Sequence, residues 1–391
     1  LPNALAVVDP KLPGDPYPEK NLSGVGLAYK LLQALLVGEK AAIQADDFLD
    51  LVALGTVADV VPLTGENRSL VRRGLALLQK PYRQGVLSLI QVSGISPARV
   101  NASQIGFALG PRINAAGRLD SALAALNLLM TADLFEAGKL AQQLNAQNQE
   151  RQRLTRQIQL QAEQIALQET PDAWLLFAAH PEFSAGVVGL AASRLTEMYY
   201  RPAIVGERGD EFTVASCRSI PEFHITAALD ECADLLVRHG GHAAAAGFKV
   251  HNDNLAALVS RLQAIATRQL APLDPRPTLR ADMELPLASI LPRELLEYQS
   301  QLEPTGNQNP EAVFVSRNVQ VRSARCVGRE SQHLKLAVSD GSVVYDAIAF
   351  SFGSLAAEMP KYVDLLYTYE VNEYNGRSTL QLNVRDLKPA Q

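Results

Sequence analysis

GGHAAAAGF, residues 240–248, is the stretch on which the reading of this chain turns. The apolar spacing before it predicts a helix over residues 225–237 that stops at Gly-Gly, presents one histidine and re-enters an extended apolar segment. Gly240 and Gly241 accept positive φ and let a phosphate approach the main chain, while His242 can donate a hydrogen bond to a phosphate oxygen. A glycine helix stop followed by a surface histidine is the plainer reading of the same residues.

Working outward, WLLFAA at residues 174–179 predicts a buried strand, residues 186–198 a helix and residues 202–205 a strand, so this region alternates as an α/β domain. Upstream, residues 133–168 predict one long polar helix in which Leu140, Leu144, Leu154, Ile158 and Ile165 fall near a single stripe, the pattern of a helix that bridges domains. Before it, ALAVVD at residues 4–9 predicts a strand, and residues 24–36 and 47–61 predict helices. Together they read as the second half of another α/β domain whose first strands are missing. Downstream, the proline-studded APLDPRPTL at residues 271–279 is a linker. From residue 310 short strands follow, with hairpin turns at Asp340-Gly341 and Asn375-Gly376. Their number suits a small barrel of the oligonucleotide-binding kind or another small β-barrel.

A length of 391 residues calls for two to three domains, and 47% hydrophobic with 20% charged residues describes an ordinary soluble protein. No run approaches a membrane span and no basic-then-apolar start suggests a signal peptide, so no membrane partner is expected. Three scattered cysteines, Cys217, Cys232 and Cys326, fit a reducing cytoplasm better than disulfides or a zinc site. A net charge of −5 argues against wholesale coating of nucleic acid and leaves binding to local grooves. The chain starts at Leu1, without methionine, and is expected to be a fragment.

Three strings carry chemistry. GPRINAAGRLDSA, residues 110–122, places Arg112, Asn114 and Arg118 on a glycine-bracketed loop before an alanine-rich helix. Two guanidiniums and an amide suit a phosphodiester backbone; an arginine pair held by carboxylates fits equally. SCRS, residues 216–219, sets Ser216 and Arg218 at a strand end as a terminal-phosphate clamp. In TVADVVPL, Asp59 stands inside an apolar helix, where a bare carboxylate is costly; it is a salt-bridge partner or a magnesium or manganese ligand. Asp120 reads as an arginine partner or helix cap.

TVADVVPL, GPRINAAGR, NAQNQERQRLT, SAGVVGLAASRL, SCRSI, GGHAAAAGF and LEPTGNQNPEAVF occur in one order, and together they make the chain resemble the RecJ family of single-strand-specific DNA exonucleases, within the DHH phosphoesterase superfamily. The resemblance spans nearly the whole chain. It implies an α/β fold: the C-terminal part of a DHH domain (residues 1–130), a connecting helix (131–169), a DHH-associated α/β domain with the GGH motif (170–270) and an OB-like barrel (280–391). It also implies roles. Asp59 matches a metal ligand of the fourth motif, Arg112, Asn114 and Arg118 match the fifth, and Ser216 with Arg218 match the phosphate-contacting motif. His242, beside Gly240 and Gly241, matches the histidine at the scissile phosphate.

The activity so implied is 5′-to-3′ hydrolysis of single-stranded DNA with a two-metal Mn2+ or Mg2+ centre, a passage between the α/β domains that excludes duplex, and other DNA repair proteins as further partners. In the barrel, Arg317, Arg322, Arg325 and Arg329 are backbone-contact candidates, and Tyr367, Tyr369 and Tyr374 stacking candidates; a solvated arginine face and core packing are the ordinary alternatives. The sequence departs from the family in having no Asp-His-His string. Of the metal ligands Asp59 alone remains, so this chain is expected to be inactive as it stands. Two other readings stay open: a catalytically dead single-strand-binding or scaffold protein, and a sister DHH phosphoesterase acting on short oligonucleotides or cyclic dinucleotides, against which the C-terminal barrel argues.

Overall fold

The computed structural model describes residues 3–38, 42–119, 121–289, 292–328, 330–374 and 377–390. It divides into two compact units, one of Leu1–Gln79, Val100–Gly106 and Leu279–Gln391, the other of Lys80–Arg99 and Phe107–Thr278. Among the described residues no helix is long and apolar enough to cross a membrane.

In the first unit, helices α1 (Gly24–Leu35), α2 (Leu49–Ala58) and α3 (Gly65–Leu78) pack around Leu22, Tyr29, Leu49, Val52 and Leu70. Ser23 caps α1 by accepting from the Gly26 amide, which satisfies one of the free donors of its first turn. The strand expected at residues 4–9 is absent: the segment is irregular and Leu5 and Val8 are exposed. A short apolar run alone makes no strand without a neighbour to complete the ladder. The helix expected over residues 47–61 is shorter. A 3-10 turn, Ala45–Phe48, leads into α2, and Asp59 is its exposed C-cap, where positive φ at Val60 ends the helix.

The second unit holds α4 (Gln84–Val92) and, after the one-turn α5 (Ala102–Gln104) of the first unit, α6 (Gly110–Leu119), α7 (Leu123–Met130) and α8 (Leu134–Glu169). The long α8 matches the polar helix read from the sequence. Its buried ridge is made chiefly of small residues, Ala137, Ala141, Ala162 and Ala166, with Leu144 and Ile158. A five-stranded sheet follows, from β1 (Leu176–His180), β2 (Ala203–Arg208), β3 (Phe212–Arg218), β4 (Leu236–Gly241) and β5 (Ala245–His251), ordered β1-β2-β3-β5-β4. Only β1 and β2 run parallel.

Alternate residues of β3 face opposite ways. Ala215 and Cys217 enter one core with Phe223, Ile225 and Leu258, beneath α10 (Ile225–Asp230) and α11 (Asn252–Leu270). On the other face Ala203 and Val205 pack with Ile158 of α8 and with Val187 and Ala191 of α9 (Ala185–Tyr199). The helix expected over residues 225–237 is cut to α10. Gly240 and Gly241 therefore close an edge strand rather than a helix.

The C-terminal part carries β6 (Met283–Glu284), α12 (Pro292–Leu302), β7 (Phe314–Val327), β8 (His333–Ser339), β9 (Val344–Ala349), β10 (Tyr362–Tyr374) and β11 (Arg377–Pro389). The order β10-β11-β9-β8-β7 closes on itself through β10–β7 pairing, a five-strand barrel of the expected kind. Along β10, Val363, Leu365, Tyr367 and Tyr369 point inward at period two to meet Leu336, Val338 and Leu382. Asp340 and Gly341 open the β8–β9 hairpin as expected, with φ of 99° at Gly341. The Asn375-Gly376 turn lies outside the described residues.

Candidate functional site

Arg112, Asn114 and Arg118 lie on α6, not on a loop. Pro111 falls in the first turn, where its missing N–H has no helical partner to lose, and Ala115 and Ala116 bury the opposite side. Asn114 and Arg118, four apart, share an exposed face. Arg112 turns toward α8: Nε donates to Asn145 Oδ1 at 3.0 Å and Nη1 to the Ala108 carbonyl at 2.8 Å. Burial lowers its guanidinium from the ordinary value. Asp120 lies outside the described residues.

Ser216 and Arg218 lie within β3, on the face turned to α9, rather than after a strand end. Arg218 Nη1 donates to the Cys217 carbonyl at 2.8 Å. Helix α9 approaches them through glycine: a Cβ on Gly189 would stand 3.0 Å from Arg218 Nη2 and 3.4 Å from Ser216 Oγ. One turn earlier, a Cβ on Gly186 would meet the Arg118 carbonyl at 2.4 Å, while Arg118 Nη1 reaches the Gly186 carbonyl at 3.3 Å. Two glycines of SAGVVGLAASRL thus let the end of α6, the start of α9 and β3 converge.

A further arginine, missed in the sequence, completes this cluster. Arg151 on α8 donates from Nη2 at 2.8 Å and from Nε at 3.3 Å to Oδ1 of the buried Asn148. Burial first, then the charges of Arg118 and Arg194, lower the Arg151 guanidinium; burial and then the charge of Arg118 lower that of Arg218. Both remain cationic at neutral pH. Among the described residues Arg112, Arg118, Arg151 and Arg218 form no ion pair. Partly desolvated guanidiniums on Arg112, Arg151 and Arg218, unpaired with carboxylates among the described residues, are an arrangement suited to an anion. The signal was present in NAQNQER, where Asn145, Asn148 and Arg151 recur every three residues along a helix flank.

Beside Ser216 and Arg218 the sheet is bare. Across β3, β5 and β4, Ser216 pairs with Gly247 and Gly247 with Gly240, so one row carries a hydroxyl followed by two positions without side chains. A Cβ on Gly240 would meet nothing within 4 Å. Positive φ occurs at Gly241 alone, at 152°, where a Cβ would meet the Ala245 carbonyl at 2.4 Å; at Gly240 the expected positive φ is absent. His242 is exposed, and its backbone is pinned: its N–H donates to the Ala245 carbonyl at 2.8 Å and its carbonyl accepts from Thr226 Oγ1 at 2.8 Å. Amides of Ser219 and Ile225 hold the next two carbonyls, those of Ala244 and Ala243. The imidazole is left free of these bonds.

Asp59, in the other unit, is exposed, not buried. Its turn is braced by the LEPTGNQNPEAVF string. Asn307 Nδ2 donates to the Val60 carbonyl at 2.7 Å, and the Leu63 amide donates to the Asn307 carbonyl at 2.8 Å. Among the described residues no group of three or more His, Cys, Asp or Glu side chains could hold a metal ion. Asp59 alone does not fit a two-metal centre.

In the barrel, Tyr367 and Tyr369 are core residues, linked through their hydroxyls and to Ser316, and do not offer stacking faces. Arg317 is held by Glu284 and Asp364. Arg322 and Arg325 are exposed on β7; Arg329 and the side chain of Tyr374 lie outside the described residues.

Residues 172–268 match the DHHA1 domain family and residues 281–386 the RecJ OB domain. The single-stranded-DNA-specific exonuclease RecJ of Bacillus subtilis is 36% identical over 99% of this chain, and the chain spans about half, 49%, of that relative's length. RecJ of Salmonella typhimurium is 35% identical over 100% of the chain, which covers 71% of it. Crystal structures of RecJ from Thermus thermophilus in complex with Mg2+ and with Mn2+ superpose with TM-scores of 0.82 and 0.81 at 32% identity, over 96% and 98% of this chain and 57% and 55% of theirs. The motifs, the DHH-associated sheet, the barrel and these likenesses agree, and the chain belongs to the RecJ family.

Proposed function

We propose that this chain is the strand-gripping part of a metal-dependent exonuclease that degrades single-stranded DNA from its 5′ end. The observation that carries this reading is the cluster of exposed Arg118 with the partly desolvated Arg151 and Arg218, unpaired with carboxylates among the described residues, beside the glycine row and His242. Arg218 and Ser216 hold the terminal phosphate, Arg118 and Arg151 neutralise its charge, and Arg112 with Asn114 extends the phosphate contacts along α6. The row Gly247–Gly240 lets the backbone of the strand lie against the sheet. His242 donates to a non-bridging oxygen as negative charge builds there.

The solved Thermus relatives hold Mg2+ or Mn2+. In this reading a bound ion of that kind would supply Lewis-acid assistance to hydrolysis, and Asp59 would be one carboxylate that helps to hold it. The remaining ligands are not among the described side chains, so this chain alone grips DNA without cutting it. A catalytically dead binding protein would share that behaviour, and joining the chain to a segment bearing an Asp-His-His motif separates the two. The domain division of residues 1–130, 131–169, 170–270 and 280–391 belongs to the same reading, as do a cytoplasmic setting and DNA repair proteins as partners.

The test is a titration of fluorescent 5′-phosphorylated single-stranded DNA, with nucleotide release followed in parallel with Mn2+ and with Mg2+. Binding without release is expected. Arg218→Ala and Arg151→Ala should each weaken binding about tenfold or more, in line with the loss of a charge-assisted phosphate contact. Unchanged affinity in both variants refutes the grip.

A further inference from the structure

The sheet face that carries Ser216 and Arg218 does not end at the phosphate clamp. Because paired residues of an antiparallel sheet point to the same side, this face can be followed row by row. Arg218 pairs with Ala245; Ser216 with Gly247 and Gly240; Val214 with Lys249 and Arg238; Phe212 with His251. Helix α9 covers the β1–β2 side and reaches as far as Ser216, through Gly189. Beyond that row Val214 is 39% exposed and Arg238 is exposed.

Two cations stand side by side on this open stretch. The Lys249 ammonium sits 3.8 Å from the centroid of the Phe212 ring, which holds it in place without neutralising it. Neither Lys249 nor Arg238 forms an ion pair among the described residues. Of the neighbouring carboxylates, Glu207 stands in the same row, paired with Val214 on the side away from Lys249, and accepts from the Ala185 amide at 3.0 Å, while Glu211 lies 3.8 Å from His251. Successive rows are spaced by about 7 Å, so the Lys249–Arg238 pair lies about 14 Å from the row of Arg218, with the bare glycine row between.

We propose that the open face of β3, β5 and β4 is the track for the nucleotides that follow the terminal one, with Lys249 and Arg238 taking successive backbone phosphates and Val214, beside Lys249 on β3, giving an apolar flank. This rests on the reading of Ser216 and Arg218 as the seat of the terminal phosphate. The occupant is a single strand, since the face offers backbone contacts in one line and continues without interruption from the clamp. Phe212 is a positioning residue that keeps the Lys249 ammonium over the track.

The experiment compares the full chain with the double variant Arg238→Gln/Lys249→Gln, using 5′-phosphorylated oligothymidylates from a trinucleotide to a dodecanucleotide, without added metal, at several salt concentrations. Both side chains lie outside the buried cores, and equal melting temperatures confirm that the variant is folded. The expected result is unchanged affinity for the trinucleotide, a loss of about tenfold for the dodecanucleotide, and a salt slope shallower by about 1.4, as two lost phosphate contacts require. If the parent shows Arg218-dependent binding that tightens with length, and the variant keeps both that gain and the salt slope, the track is refuted while the clamp stands. If the parent shows no Arg218-dependent binding at any length, the clamp and the track fall together.

Discussion

Gly189 of α9 and Arg218 of β3 are in contact through the absence of a side chain: a Cβ on the glycine would lie 3.0 Å from Nη2 of the arginine. The obstructed atom is the far end of a flexible side chain, so it can yield where backbone could not. Gly189→Ala should therefore fold with a change in stability of less than about 1 kcal/mol, since the helix-propensity gain offsets some crowding. It should nevertheless weaken 5′-phosphorylated single-strand binding several-fold by displacing the guanidinium. Calorimetric titration with matched thermal melts checks both halves, and wild-type affinity in a folded variant would remove Arg218 from the site.

Asn307 fastens the turn after Asp59. Its side chain donates to the Val60 carbonyl and its own carbonyl accepts from the Leu63 amide. Asn307→Ala removes the first bond and keeps the second, with an expected loss of about 1 kcal/mol, the ordinary worth of one such bond. Urea unfolding of the parent and variant measures it. An unchanged or higher stability would show that the turn holds itself.

Thiol chemistry separates the three cysteines. Cys217 and Cys232 are buried, and burial pushes the Cys217 thiol up to about 12 and raises that of Cys232. Cys326 is exposed. Because the thiolate is the nucleophile, native protein should react at one site with a thiol-specific chromogenic reagent, and at all three only after denaturation. Mass mapping that finds Cys217 labelled under native conditions would contradict the packing of β3 against α10 and α11.

Acid should loosen the β8–β9 hairpin. Burial raises the Asp340 carboxyl, but bonds from Ser342 and from the Ala288 and Val343 amides outweigh it and hold the group at about 2. A carboxyl lowered in the folded state stabilises above its unfolded value, near 3.9, and loses that contribution as the pH falls through the folded value. The deficit of Asp340→Ala against the parent should thus be full at neutral pH and shrink between about pH 4 and pH 2. Paired denaturation curves across that range test it; a deficit independent of pH would mean that the charge plays no part.

Much of this protein was legible in its sequence because local rules governed it. The spacing of α8, the short strands after residue 310 and the Asp340-Gly341 turn are decided by residues a few positions apart, where helix and strand periodicities are strict. The motif strings that mark the family were also written in short segments. What the sequence left open depended on partners distant along the chain. Residues 225–237 carry a helical apolar pattern, yet residues 236–241 are a strand because β5 offers them a ladder, and strand formation answers to such neighbours more than to propensity. Residues 4–9 are an apolar run like a strand and find no such neighbour among the described residues. Asp59 looked buried within an apolar run, but Val60 and Asn307, far apart in sequence, end the helix and leave the carboxylate exposed. Arg118 and Arg218 come together because Gly186 and Gly189 admit close approach of α6, α9 and β3, and Arg151 reaches them from α8. Tyr367 and Tyr369 are indistinguishable from surface stackers until the barrel closes and its curvature turns them into the core.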